Sequence, residues 1–229
     1  MGQDLWVFGY GSLMWRPDFP FAERARARLD GYHRAFCISS THHRGSAMRP
    51  GLVLGLDRGG ACEGVAYRVA ADQAATVLAY LRKRELISGV YREARVPLVL
   101  RGALHDAVLR TVPALAYIVE RCHPSYVRPQ SLSETAHLIR GARGVSGDNL
   151  DYLLNTVRHL GQLGIREPAL ERLVATAAPH AGRLMGDGLT SISSAPIRRA
   201  TAHLRNDAQR MRRGDRMRFL YRIRLNGGM

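Results

Sequence analysis

Before residue 120 only one stretch has the spacing of a helix. Ala74, Val77, Leu78, Leu81 and Glu85 fall at i, i+3, i+4, i+7 and i+11, one stripe of a helix read over residues 71–85. The segments around it have the shorter rhythm of strands. Leu5 to Gly9 is a brief apolar run, and Arg28 to Ser40 mixes aromatic with basic residues. Leu52 to Leu56 and Cys62 to Val69 read as two strands parted by the turn-like Asp57-Arg58-Gly59-Gly60. Residues 41–51 are polar with Gly45, Pro50 and Gly51, a loop. Residues 92–100 and 108–119 are strands again, with Pro97 and Pro113 expected at edges or bulges. Strands, one helix, then more strands cannot build alternating βαβ units. The order predicts an α+β fold with a mixed sheet or small β-barrel.

The second half turns helical. Ser131 precedes the spaced Leu132, Ala136 and Ile139. Asp148 or Asn149 can cap a helix carrying Leu150, Leu153, Leu154 and Val157, and Pro168 opens one with Leu170, Leu173, Val174 and Ala177 facing inward. After Pro179 the periodicity fades, so the chain divides into a domain over 1–180 and a basic, mostly irregular tail over 181–229. That tail holds eleven arginines against three aspartates, eight units of the net charge of +15. Such a tail raises a nucleic-acid-binding alternative. It lacks interleaved aromatics beyond Phe219 and Tyr221, which weighs against that partner.

Composition sets further bounds. At 46% hydrophobic and 23% charged residues the chain is an ordinary globular one. It has no run of about eighteen apolar residues, so no membrane-spanning helix is expected. The start lacks a basic, apolar, small-residue leader pattern. Three dispersed cysteines, with no Cys-x-x-Cys pair, fit a reducing cytoplasm rather than a disulfide framework or a cysteine-based metal site.

Two features carry chemistry. Glu85 shares the inward stripe of the helix, where lost hydration would raise its pKa and let it exchange protons near neutrality. The competing reading is a helix-end glutamate that frays to solvent or pairs with Arg82 or Arg84. The second feature is Gly9-Tyr10-Gly11-Ser12-Leu13 at a strand end, where glycines admit close approach and successive N–H groups can form an anion nest. A nucleophile elbow would need glycines at 10 and 14, where Tyr10 and Met14 stand. The same Met14 breaks a dinucleotide fingerprint, and no Gly-Lys-Ser/Thr of a P-loop occurs. His42-His43-Arg44 lacks the further ligands of a metal site, so none is expected, though His43 and Arg44 can meet an anionic substrate. Tyr91, Glu93, Tyr117 and Tyr152 lie near element ends and can either line a pocket or serve as half-buried structural residues.

These blocks together resemble the ChaC family of glutathione-specific γ-glutamylcyclotransferases. The resemblance runs from Leu5-Trp6-Val7-Phe8-Gly9-Tyr10-Gly11-Ser12-Leu13 through Thr41-His42-His43-Arg44-Gly45, Gly64-Val65-Ala66-Tyr67 and Arg82-Lys83-Arg84-Glu85 to Gly144-Val145-Ser146-Gly147-Asp148-Asn149. It covers about residues 4–178 and implies a small mixed β-barrel with flanking helices. It also implies that Glu85 is the general acid/base. The γ-glutamyl moiety would then meet Val7, Phe8, Gly9, Tyr10, Gly11, Ser12 and Leu13, with Arg44, Tyr91 and Tyr117 also on the substrate. The implied reaction closes the γ-glutamyl unit to 5-oxoproline, with glutathione or another γ-glutamyl peptide or amine as substrate and no cofactor. One departure is Gly89-Val90-Tyr91, where the family usually has Gly-Gly-Tyr; valine reaches positive φ less easily than glycine.

Overall fold

The computed structural model describes residues 2–101 and 110–179; the tail over 181–229, with its expected irregularity, lies outside the described residues, as do 108 and 109 of the expected strand. Five strands close into a barrel: β1 (Leu5–Gly9), β2 (Glu23–Ser40), β3 (Gly51–Val69), β4 (Tyr91–Arg101) and β5 (Arg110–Val119), in the order β1-β3-β2-β4-β5. β1 joins β5 in parallel, and the other neighbouring pairs are antiparallel. The expected mixed barrel is therefore the one observed.

The barrel interior follows the period of two. Trp6 and Phe8 of β1, with Tyr10 just past its end, pack beside Val96, Leu98 and Leu100 of β4 and Val112, Ala114, Ala116 and Ile118 of β5. The small side chains of Ala114 and Ala116, both fully buried, suit the narrow interior. Around the barrel lie α1 (Ala74–Glu85), α2 (Leu132–Ile139), α3 (Asn149–Gln162) and α4 (Pro168–Ala177). Ser131 caps α2 through a full capping box with Glu134, and Pro168 opens α4, whose Leu170, Leu173, Val174 and Ala177 are all buried.

Three local expectations change. Asp57-Arg58-Gly59-Gly60 does not separate two strands. β3 runs through it, and the pairing slips there, from Asp30↔Ala61 to Tyr32↔Arg58. Gly31, Gly59 and Gly60 all have positive φ, so these glycines form a bulge that bends the long β2–β3 ribbon instead of reversing it. Asp148 stands at the N-cap of α3 but makes no side-chain cap bond. The neighbouring Asn149 is buried and pairs with Leu52 instead, accepting from its N–H at 2.7 Å and donating to its carbonyl at 2.7 Å. Finally, Gly89 has a φ of 69° whereas Val90 has none of the positive values and is buried with Cys37, Ile38 and Val119. The loop needs only one glycine, so valine is accommodated. The prolines fit their local edges: Pro97 and Pro113 face each other on the β4–β5 ladder, and β2 reaches β4 only at Val99–Arg101.

Candidate active site

The closure of the barrel gathers the site. Because β1 and β5 are parallel, both deliver their last residues to one end. β4, antiparallel to β5, starts there, with Tyr91 opposite Val119 and Glu93 opposite Tyr117. β3 pairs with β1 only through Val65–Val69 and extends well beyond it, so Leu54 can form a further wall. The resulting cleft is lined by Tyr10, Gly11, Ser12, Leu13, Leu54, Glu85, Tyr91, Tyr117 and Tyr152, and holds about 330 Å³ of empty space counting its open mouth.

Glu85 ends α1 and its side chain is only 17% exposed. Burial pushes its carboxyl above the ordinary carboxylate range, opposed by the guanidinium of Arg84, whose Nε lies 3.1 Å from Oε1. The helix-end pairing and the inward-facing reading thus hold together, while Arg82 is occupied by Glu93 through two 2.8 Å bonds. Arg84 also ties the helix end to the glycine-rich turn. It donates to Ser12 Oγ at 3.1 Å and to the carbonyl of Arg16 at 2.8 Å. The Ser12 hydroxyl accepts from that cation and, among the described residues, donates to no base, so it is not set up as a nucleophile.

Among the described residues, the N–H groups of Gly11, Ser12 and Leu13 donate to no protein acceptor, and all three residues line the cleft. A Cβ on Gly11 would sit 3.6 Å from Tyr152 Oη and 3.8 Å from Leu54 Cδ1, so the missing side chain leaves cleft space rather than relieving a clash. Four tyrosines complete the walls. Tyr10 Oη donates to the Tyr117 carbonyl at 2.9 Å, and Tyr91 Oη to the Leu54 carbonyl at 2.7 Å. Tyr117 Oη is buried with no protein partner, the one such side-chain atom among the described residues. Burial pushes the hydroxyls of Tyr10, Tyr91 and Tyr117 up and that of Tyr152 to about 12, so all four keep their protons at neutral pH.

The other sequence-selected residues lie further out. Val7 and Phe8 are fully buried within β1, and Gly9 ends that strand beneath Leu13; none of the three lines the cleft. Arg44 stands behind Tyr152, with its guanidinium 5.1 Å from the ring centre and bonded to the Asp148 carbonyl at 3.1 Å. His43 bonds Ser146 Oγ at 3.1 Å, which ties the 41–50 loop to the segment before α3. Glycines make this union possible: a Cβ on Gly51 would overlap the Arg44 carbonyl, and one on Gly144 the His42 carbonyl. Asn149 then clamps α3 to β3 and brings Tyr152, one turn later, to the cleft. Sequence reasoning missed Leu54, whose apolar strand looks like any other, and Arg34, a buried cation on β2.

A closed mixed barrel of this kind is the fold of γ-glutamylcyclotransferases. The glutathione-specific γ-glutamyl cyclotransferase from yeast superposes with a TM-score of 0.69 at 25% identity, covering 77% of this chain and 96% of that one. The family profile described as ChaC-like protein matches residues 5–179, and the chain belongs to that family. Curated relatives include the glutathione-specific γ-glutamylcyclotransferase of Escherichia coli, 37% identical over 81% of this chain and 78% of the relative. The human glutathione-specific γ-glutamylcyclotransferase 1 is 41% identical over 66% of this chain and 68% of the relative.

Proposed function

We propose that this protein is a glutathione-specific γ-glutamylcyclotransferase, that residues 1–180 are its catalytic unit, and that it works in the cytoplasm. The observation that carries the reading is the buried carboxylate of Glu85 in a cleft with the unclaimed N–H groups of Gly11, Ser12 and Leu13. The substrate brings its own nucleophile. Its α-amine attacks its γ-carbonyl carbon, forming the ring C–N bond, and the amide bond to cysteine then breaks. The products are 5-oxoproline and Cys-Gly, with no change of oxidation state.

Glu85, ionised, takes a proton from the α-ammonium before attack and returns it to the departing cysteine nitrogen. The second proton that the ring nitrogen sheds passes through the same carboxylate to that nitrogen, so Cys-Gly leaves as its ammonium and the carboxylate is restored each turnover. Its raised pKa brings it closer to the basicity of the groups it serves than an exposed glutamate would be. The backbone donors of the turn offset negative charge as the carbonyl oxygen becomes tetrahedral. Tyr117 Oη, protonated and without an acceptor among the described residues, is a further donor to the γ-glutamyl unit. The confined cleft holds the γ-glutamyl chain curled for attack, which an extended chain in water rarely is. Arg44, through Tyr152, shapes the mouth.

The test is release of 5-oxoproline from glutathione and, separately, from γ-glutamyl-alanine. Turnover of glutathione far above that of γ-glutamyl-alanine supports the reading. Equal turnover makes the enzyme a general γ-glutamyl cyclotransferase, and none from either refutes the activity.

A further inference from the structure

Arg34 is a charged residue with its side chain wholly buried, on β2, away from the cleft. Its Nε donates to the Tyr10 carbonyl at 2.5 Å and its Nη2 to the Glu63 carbonyl at 2.6 Å. Its Nη1 donates to a carboxylate oxygen of Glu167, the residue at the N-cap of α4. One planar guanidinium thus joins the glycine-rich turn, β3 and the last described helix. A buried cation costs several kcal/mol to desolvate unless it is paired, and replacing such a pair by apolar residues is often neutral or stabilising. Stability alone is therefore a weak reason for this one.

The carbonyl it grips belongs to the peptide between Tyr10 and Gly11. That peptide is trans, so its C=O and N–H point in opposite directions. With the Tyr10 carbonyl drawn toward the buried guanidinium, the Gly11 N–H is turned away from it. Gly11 lines the cleft, and its N–H has no protein acceptor among the described residues. The guanidinium donating to the carbonyl oxygen also polarises the peptide and makes its N–H a stronger donor.

We propose that the Arg34–Glu167 pair is a positioning device. It holds the Tyr10–Gly11 peptide so that the Gly11 N–H presents itself to the oxyanion, and it couples the seating of α4 to turnover. This rests on the cyclotransferase reading above. Arg34 touches no substrate and acts only through the backbone of the turn. Lysine cannot replace it, because a single ammonium cannot span Tyr10, Glu63 and Glu167 in the plane the fork requires.

The experiment compares the full wild-type chain with Arg34→Lys, Glu167→Gln and Glu167→Ala. It measures kcat and KM for glutathione by 5-oxoproline release, the pH profile of kcat, and thermal unfolding. Losing one oxyanion donor costs about 10²–10³-fold in kcat, so Arg34→Lys is expected to lose between ten-fold and that amount, with KM and the pH midpoint set by Glu85 little changed. Glu167→Gln keeps an acceptor for Arg34 and should stay near wild type, whereas Glu167→Ala should lose kcat. A folded Arg34→Lys with wild-type kcat, or a loss confined to KM, overturns the proposal. Should Arg34→Lys fail to fold, the Glu167 variants decide, and wild-type kcat in Glu167→Ala overturns it. Absence of 5-oxoproline from the wild type defeats the cyclotransferase reading instead, so the two failures are distinguishable.

Discussion

Replacing Tyr117 by phenylalanine removes a single oxygen atom from the cleft. Tyr117 is 1% exposed and its hydroxyl has no partner among the described residues, so none of them loses a hydrogen bond in the change. The ring volume is kept, and the Tyr117 carbonyl that accepts from Tyr10 Oη belongs to the backbone and survives. Thermal stability should therefore not fall. The substrate is a different matter. A hydrogen bond to a neutral carbonyl is worth about 0.5–1.5 kcal/mol and one to a charged group about 1.5–3 kcal/mol. At about 1.4 kcal/mol per factor of ten, kcat/KM should drop roughly 2–13-fold if the hydroxyl meets a neutral oxygen, and roughly 13–150-fold if it meets a carboxylate or developing oxyanion. The assay is steady-state 5-oxoproline release over a range of glutathione concentrations, alongside a thermal melt. A loss in kcat places the contact in the transition state, and a loss in KM alone places it on the bound substrate. A folded Tyr117→Phe enzyme with wild-type kcat/KM would refute the reasoning that this buried hydroxyl waits for a ligand.

Glu85→Gln should lower kcat by at least the ~10²–10⁴-fold that general acid/base catalysis contributes; a variant with near wild-type turnover removes Glu85 from the mechanism. The same variant has a stability signature. Burial raises the Glu85 pKa, so the folded state holds its proton more tightly than the unfolded one. Stability then falls as pH rises from the ordinary value of 4.5 through the raised one, and glutamine escapes that loss. Glu85→Gln should thus melt higher than wild type above that window and no higher below it. Gly11→Ala adds a methyl 3.6 Å from Tyr152 Oη without a clash, so it should fold with nearly unchanged melting while weakening glutathione turnover by occupying the cleft. Gly51→Ala forces its Cβ into the Arg44 carbonyl and should lower the melting temperature outright, since backbone on both sides must shift.

Much was legible in the chain itself. One helical stripe among strands limits the fold to α+β with a mixed sheet, and β1 with its glycine-rich turn and α1 with Glu85 at its end emerge from local pattern. Those signals are short-range: a period of two or 3.6, and glycines where a chain must turn. What only the tertiary structure decided is long-range. The parallel closure of β1 on β5 is what brings Tyr91, Tyr117 and the turn to one end, and the clamp of Asn149 on Leu52 is what delivers Tyr152.

Arg34 shows the limit most clearly. Counting by twos from the buried Ala27 and Leu29 puts odd positions inside and sends residue 34 to solvent. The bulge between Asp30 and Tyr32 adds a step, so Tyr32, Arg34 and Phe36 turn inward instead. A strand's sequence sets its alternation, but its partner's register sets the phase, and it is the phase that put a buried cation beneath the glycine-rich turn.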